Sequence, residues 1–210
     1  VDFRSAAWVK DTRSLVMTGA TANFTFTLPF SPVFAGMNVG RLISDAKTTD
    51  EKVIKTTGFH FASTSHGRFR MNVTNASITT DSTYLFIEHS YTNPDPFLSW
   101  GNPYRLTARS WKVSGIIPAT FDAVGYITYD GRTTTGGGGG YLDNTIIPTN
   151  NLEDSIVLLY RPDTKTDWYE YPWYTKITGA LTDKWGNITV DSVIAGEYTI
   201  GRHDYTLAIP

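Results

Sequence analysis

An all-β fold is what this sequence predicts, and three observations carry the expectation. Apolar residues recur with a period of two in almost every segment, the period of a half-buried strand. Threonine and aromatic residues, which fit a pleated surface, are abundant. Turn dipeptides return about every 8–12 residues, the spacing of a sandwich or barrel. They include Thr18-Gly19, Thr57-Gly58, Asp130-Gly131, Thr178-Gly179 and Trp185-Gly186-Asn187.

Taken in order, Val1-Asp2-Phe3 already alternates. Phe24-Thr25-Phe26-Thr27-Leu28 predicts a strand with Phe24, Phe26 and Leu28 on one face and threonines on the other. Met37–Asp45 is the best helical candidate, but its Gly and Asn content makes it a loop or short turn. Phe69–Val73, Tyr84–Glu88 and Val124–Tyr129 alternate again. Thr133–Gly140 ends in a run of glycines; with no Gly-Lys-Ser/Thr behind it, it reads as a flexible hairpin tip and not a phosphate loop. Ser155–Tyr160 is apolar throughout, as expected of a strand covered on both faces. Ile188–Val193 and Glu197–Gly201 follow, and Tyr205–Ile209 alternates once more. With no initiator Met or signal peptide, and strand-like patterns at both ends, the chain reads as an excised piece of a longer protein.

Asn93-Pro94-Asp95-Pro96 and Gly101-Asn102-Pro103 form the richest Pro/Asn/Gly stretch between strand clusters. It predicts a boundary near residue 107 and two β-sandwich units in tandem, residues 1–106 and 107–210, each immunoglobulin/fibronectin-like or jelly-roll-like. One larger sandwich with a long proline-rich crossover is the alternative.

Composition narrows the function. The 210 residues carry a formal charge of −2, which lacks the basic footprint of a nucleic-acid binder. The absence of cysteine excludes disulfide frameworks and thiolate metal sites. No apolar run approaches the roughly 18 residues that would span a bilayer.

Catalytic patterns are missing. No histidine begins a His-Glu-x-x-His motif, and Glu88-His89 lies on a strand, where neighbours face opposite ways. His60 and His66 flank a turn without a third ligand. No Gly-x-Ser-x-Gly elbow occurs. Asp95, Asp130 and Asp143 are single residues in separate turns, unlike a calcium loop. No catalytic or metal-ligating residue is therefore assigned.

The sharpest local feature is Asp167-Trp168-Tyr169-Glu170-Tyr171-Pro172-Trp173-Tyr174. Strand alternation would send Tyr169, Tyr171 and Trp173 to one face and Trp168 to the other, with Pro172 confining the run to an edge strand or bulge. Trp168, Tyr169, Tyr171, Trp173 and Tyr174 are the candidate binding residues. Their rings would pack in a core, dock on a neighbouring domain, or stack on a peptide or glycan.

A set of linked phrases carries a family resemblance. They include Phe26-Thr27-Leu28-Pro29-Phe30-Ser31-Pro32-Val33, Lys52-Val53-Ile54-Lys55-Thr56-Thr57-Gly58 and Trp111-Lys112-Val113-Ser114-Gly115-Ile116-Ile117-Pro118. Others are Leu158-Leu159-Tyr160-Arg161-Pro162, Glu170-Tyr171-Pro172-Trp173-Tyr174-Thr175-Lys176 and Gly196-Glu197-Tyr198-Thr199-Ile200. From about residue 14 to 201 the chain resembles the C-terminal region of secreted aminopeptidase N-like zinc metallopeptidases of Bacteroidetes-type bacteria. The resemblance rests on strand-and-turn phrases, since the family's catalytic His-Glu-x-x-His does not occur here. It implies a non-catalytic accessory β module, secreted or at the bacterial cell surface, that supports or orients the catalytic domain or its peptide substrate. It also implies that zinc belongs to that absent catalytic domain, with no cofactor in this chain. The rival expectation is a carbohydrate-binding or adhesion module using Trp168, Tyr169, Trp173 or Trp100.

Overall fold

Period-two patterning produces strands and little else in the computed structural model, which describes residues 1–40, 46–62, 68–75, 83–132, 143–147, 150–180 and 183–204. The strands are β1 (Asp2–Ser5), β2 (Lys10–Thr12), β3 (Pro32–Gly36), β4 (Lys47–Ile54), β5 (Gly58–His60), β6 (Arg70–Asn75) and β7 (Thr83–Ser90). They continue with β8 (Tyr104–Ile116), β9 (Asp122–Asp130), β10 (Ile156–Arg161), β11 (Tyr169–Glu170), β12 (Tyr174–Ile177), β13 (Trp185–Val190) and β14 (Gly196–His203). A 3-10 turn, Asn150–Ser155, leads into β10. All pairings among the described residues are antiparallel.

The chain divides into two units, Val1–Asp45 and Ala46–Pro210. The first holds a three-stranded sheet in the order β2-β1-β3. Asp2 fixes its first hairpin, accepting a bond from Thr12 at 2.6 Å and pairing with Lys10 at 2.8 Å. The strand expected at Phe24–Leu28 does not form. Its alternation survives, with Phe26 and Leu28 half-buried and Phe26 edge-on to Phe3 at 5.7 Å. Among the described residues no strand pairs with this segment, so side-chain burial alone does not make it a ladder.

The second unit is one β-sandwich. A six-stranded sheet runs β11-β10-β14-β8-β7-β4 and a five-stranded sheet runs β12-β13-β9-β6-β5. The alternate residues Leu85, Ile87, Trp111, Val113, Leu158, Tyr198 and Ile200 of the first meet Met71, Val73, Ile127, Tyr129, Ile188 and Val190 of the second in one core. β10 is buried on both faces, as its apolar sequence predicts: Leu158 and Tyr160 join this core, and Val157 and Leu159 pack outside it with Trp168.

The division expected near residue 107 is not the one the fold adopts. Residue 107 lies inside β8, and each of the two sandwich sheets mixes strands from both sides of that position. The Pro/Asn/Gly stretch is a long surface connection between hydrogen-bonded neighbours, β7 and β8. It is tied down by the Trp168 indole N–H, which donates to the Asp95 carbonyl at 2.9 Å, and by Phe97, which packs on the outer cluster. β8 is long because its first half pairs with β14 alone, while its second half pairs with β7 and shares β14 only at residues 110–113. Gly115 permits that second half. Its φ of +140° suits glycine, and a Cβ there would strike the Tyr84 carbonyl.

Thr133–Gly140, His66, the alternating run Tyr205–Ile209 and residues 41–45 of the Met37–Asp45 segment lie outside the described residues. No helix among the described residues is long and apolar enough to cross a membrane.

Candidate functional site at the sandwich edge

The aromatic run around Tyr171 passes from one sheet to the other. β11 is the edge strand of the six-stranded sheet and β12 the edge strand of the five-stranded sheet, with Tyr171, Pro172 and Trp173 between them. Pro172 has no N–H to donate, which fits a ladder that stops after two residues of β11. This crossing breaks the alternation expected from sequence. Trp168 and Tyr171 are both buried, while Tyr169 and Trp173 are 45% and 55% exposed. The single Tyr169/Tyr171/Trp173 face therefore does not form.

Each ring has its own setting. Trp168 lies under Arg161, whose guanidinium sits 4.3 Å from its ring centroid and pairs with Asp95 and Glu197. Tyr171 is a core residue, 5.2 Å from Tyr160 and 5.6 Å from Tyr198 between centroids. Tyr169 stands edge-on to Tyr160 at 5.6 Å, and Trp173 edge-on to Tyr171 at 5.6 Å. Tyr174 is half-buried and donates to Glu170 at 2.7 Å. Burial and the Glu170 carboxylate raise its pKa. The two exposed rings thus stand on a buried tyrosine cluster.

That cluster also clamps the β13–β14 connection. Tyr160 donates to the Ala195 carbonyl at 2.7 Å, Tyr171 donates to the Ser192 carbonyl, and Tyr198 donates to the Ile194 carbonyl at 2.8 Å. Tyr198 also accepts from the Ile194 N–H at 3.0 Å, so one hydroxyl satisfies both backbone groups of Ile194. This four-residue back-bond is a tyrosine corner, a device of immunoglobulin-like sandwiches. Burial pushes the Tyr171 phenol up to about 12 and that of Tyr198 further still, so both keep their protons. Gly196 completes the corner, since a Cβ at its φ of +145° would strike the Tyr160 ring. Tyr198→Phe is expected to lower stability by about 1–3 kcal/mol, because the two hydrogen bonds to the Ile194 backbone are lost. Urea denaturation of the variant checks it, and an unchanged midpoint would refute the corner's role.

The loop bearing Trp100 is also built. The Asp167 carboxylate accepts from the Leu98 N–H at 3.0 Å and the Ser99 N–H at 2.9 Å, and also from the Ser99 hydroxyl. Burial acts upward on its pKa, but these bonds and the Trp168 N–H hold it below the usual carboxylate range. Leu98 and Trp100 are left exposed at the tip. Nothing in the sequence alone pairs Asp167 with Ser99, which is 68 positions away.

The titratable residues weighed from sequence do not converge. His60 contacts the Thr56 carbonyl at 2.8 Å, and His89 is wholly buried, stacked on Trp111 at 4.8 Å. Each of the three turn aspartates meets an arginine: Asp95 with Arg161, Asp130 with Arg132, Asp143 with Arg109. Among the described residues, no three His, Cys, Asp or Glu are grouped to hold a metal ion. A cleft of about 200 Å³ lies on the outer face of the six-stranded sheet. Cross-strand register lines up Glu88, Lys112, Glu197 and Arg161 there with alternating sign, a sheet-stabilising arrangement. Lys47 pairs with Glu88 at 3.4 Å and Arg161 with Glu197 at 2.6 Å, so the cleft's charges are largely spent on one another.

No protein-family profile, no curated protein and no solved structure matches this chain.

Proposed function

We propose that the chain is a non-catalytic accessory β module of a secreted or surface-held bacterial protein, in keeping with its resemblance to the region that follows a zinc aminopeptidase domain. Its task in this reading is to dock on the catalytic domain of the parent protein and orient it. The supporting observation is the pair Tyr169 and Trp173. Both are exposed, yet each rests against a buried ring of a hydrogen-bonded cluster. Large amphipathic rings held in this way lose little freedom on association, which is why they recur as interface anchors.

The test is made in the parent protein. Replacing Tyr169 and Trp173 together by alanine is expected to speed limited proteolysis between the module and its neighbour at least fivefold, and to lower the neighbour's thermal midpoint. Trp100→Ala serves as the exposed-tryptophan control. Unchanged proteolysis and an unchanged midpoint would reject docking through these rings. Turnover of aminoacyl-arylamides by the isolated chain would reject the non-catalytic reading.

A glycan-binding role is the second reading. The observation that favours it lies on a different surface, the exposed face of the five-stranded sheet.

A further inference from the structure

The five-stranded sheet buries Met71, Ile127 and Ile188 on its inner face, so the residues between them point outward. Two outward corners repeat one chemistry. At the first, the Arg70 guanidinium lies 4.0 Å from the Phe59 centroid and 5.6 Å from that of Tyr126, with the two rings 6.2 Å apart. At the second, Arg132 sits 5.9 Å from the Trp185 centroid and is held by two bonds to Asp130, at 2.9 and 2.7 Å. Phe59 is 58% exposed and Trp185 38%.

The register fixes how the corners relate. Tyr126 lies opposite Arg70, and Asp130 opposite Trp185. Tyr126 and Asp130 are four residues apart on β9, so the corners are separated by about 14 Å along the strand. The floor between them is polar. Thr128 donates to the Asn187 side-chain oxygen at 2.7 Å, a bond that leaves both Asn187 amide donors for other partners. Thr189 and Thr175 continue this floor toward the edge strand.

We propose that this face binds a linear polysaccharide chain lying along β9. The exposed rings of Phe59 and Trp185 receive the C–H faces of sugar rings, the guanidiniums donate to sugar oxygens, and the Thr/Asn floor meets hydroxyls. The corners are too far apart for one sugar to touch both, so the ligand is a chain of several units. A dry apolar protein surface would strip water from this polar floor without replacing its hydrogen bonds, an outcome a polyhydroxylated ligand avoids. Asp130 offsets Arg132 at the second corner, so positive charge is not built up there as a nucleic-acid site requires. The proposal develops the second reading above and stands apart from docking through Tyr169 and Trp173.

Affinity gel electrophoresis of the intact chain tests it, with hydroxyethyl cellulose, arabinoxylan, laminarin and polygalacturonate each cast in the gel. Retardation by at least one polymer is expected, with Phe59→Ala and Trp185→Ala each weakening the apparent Kd at least tenfold. Trp100→Ala and Trp173→Ala are expected to bind as the parent chain does. Circular dichroism checks that each variant is folded, and Arg70→Ala replaces Phe59→Ala if the latter is not. Retardation only by polygalacturonate, lost in Arg70→Ala, would support the site and assign an acidic glycan. No retardation by any of the four polymers would overturn the proposal. So would binding that survives both ring substitutions, or binding abolished by Trp100→Ala or Trp173→Ala.

Discussion

Asp143→Ala is expected to destabilise the larger unit by about 3–5 kcal/mol, the cost of leaving one partner of a buried pair unmatched. Asp143 is wholly buried and Arg109 nearly so. The Asp143 carboxylate accepts from Arg109 Nε at 2.9 Å, Arg109 Nη2 at 2.5 Å, the Thr107 hydroxyl at 2.8 Å and the Asp130 N–H at 2.8 Å. Arg109 is left with the Thr128 carbonyl, at 2.7 Å, and the Trp111 ring, 4.8 Å to its centroid, once that carboxylate is gone. The guanidinium cannot shed its proton, so it stays charged in an interior with one neutral acceptor. The pair also joins the sheets: Arg109 and Thr107 belong to β8, and Thr128 and Asp130 to β9. Urea unfolding followed by tryptophan fluorescence measures the loss. The double replacement Arg109→Met with Asp143→Leu is expected to recover most of it, since apolar groups of similar volume need no partner. A loss below about 1 kcal/mol in Asp143→Ala would refute the assignment of this pair as the tie between sheets.

Acid is expected to unfold the larger unit through His89. Its ring is wholly buried, stacked 2° from parallel on Trp111 and 4.3 Å from Tyr91. Neither ring nitrogen meets a hydrogen-bonding partner among the described residues. Burial, followed by the positive charges of Arg109 and Arg68, pushes its pKa down to about 3. In the unfolded chain the imidazole titrates near its ordinary value of about 6.5. The unfolded state therefore takes up the proton first, and stability falls as pH drops below that value. The loss is about 1.4 kcal/mol per pH unit, continuing toward the folded-state pKa, so about 2–3 kcal/mol is gone by roughly pH 4.5. Above about pH 7 this contribution is fully present. Glu153 acts in the opposite sense, because burial raises its carboxyl pKa and so favours its protonated folded form. The comparison of wild type with His89→Phe cancels that background. The phenyl ring keeps the stack on Trp111 and cannot titrate, so the variant's urea midpoint is expected to stay nearly level where the wild type's falls. Equal falls in both would show that His89 is not the acid-sensitive group.

Strand positions were legible because burial imposes a period of two on any strand with one covered face. Phe69–Val73, Val124–Tyr129 and Ser155–Tyr160 all coincide with strands or their ends, and the apolar run of β10 is covered on both faces. Phe24–Leu28 was misleading for a related reason. Alternation reports which side chains are covered, and it does not supply the neighbouring strand that a ladder needs. The site was legible in part. Sequence picks out Tyr169 and Trp173, but it groups them with Tyr171 because it assumes one unbroken strand across a segment that changes sheets. Trp168 is likewise absorbed by Arg161 and Asp95, partners 7 and 73 positions away.

The all-β class, most of the strands and the cysteine-free aromatic core follow from residue pattern alone, because side-chain alternation is a local property of the chain. The unit boundary, the Arg109–Asp143 tie, the tyrosine corner and the two aromatic corners on the five-stranded sheet do not. They depend on which strands become neighbours. Tyr126 meets Phe59, Asp167 meets Ser99 and residue 107 falls mid-strand because of pairings between distant segments. Many pairings bury the same alternating faces almost equally well, so local pattern cannot choose among them. The choice is made by register, by turn geometry and by the fit of large rings in one shared core.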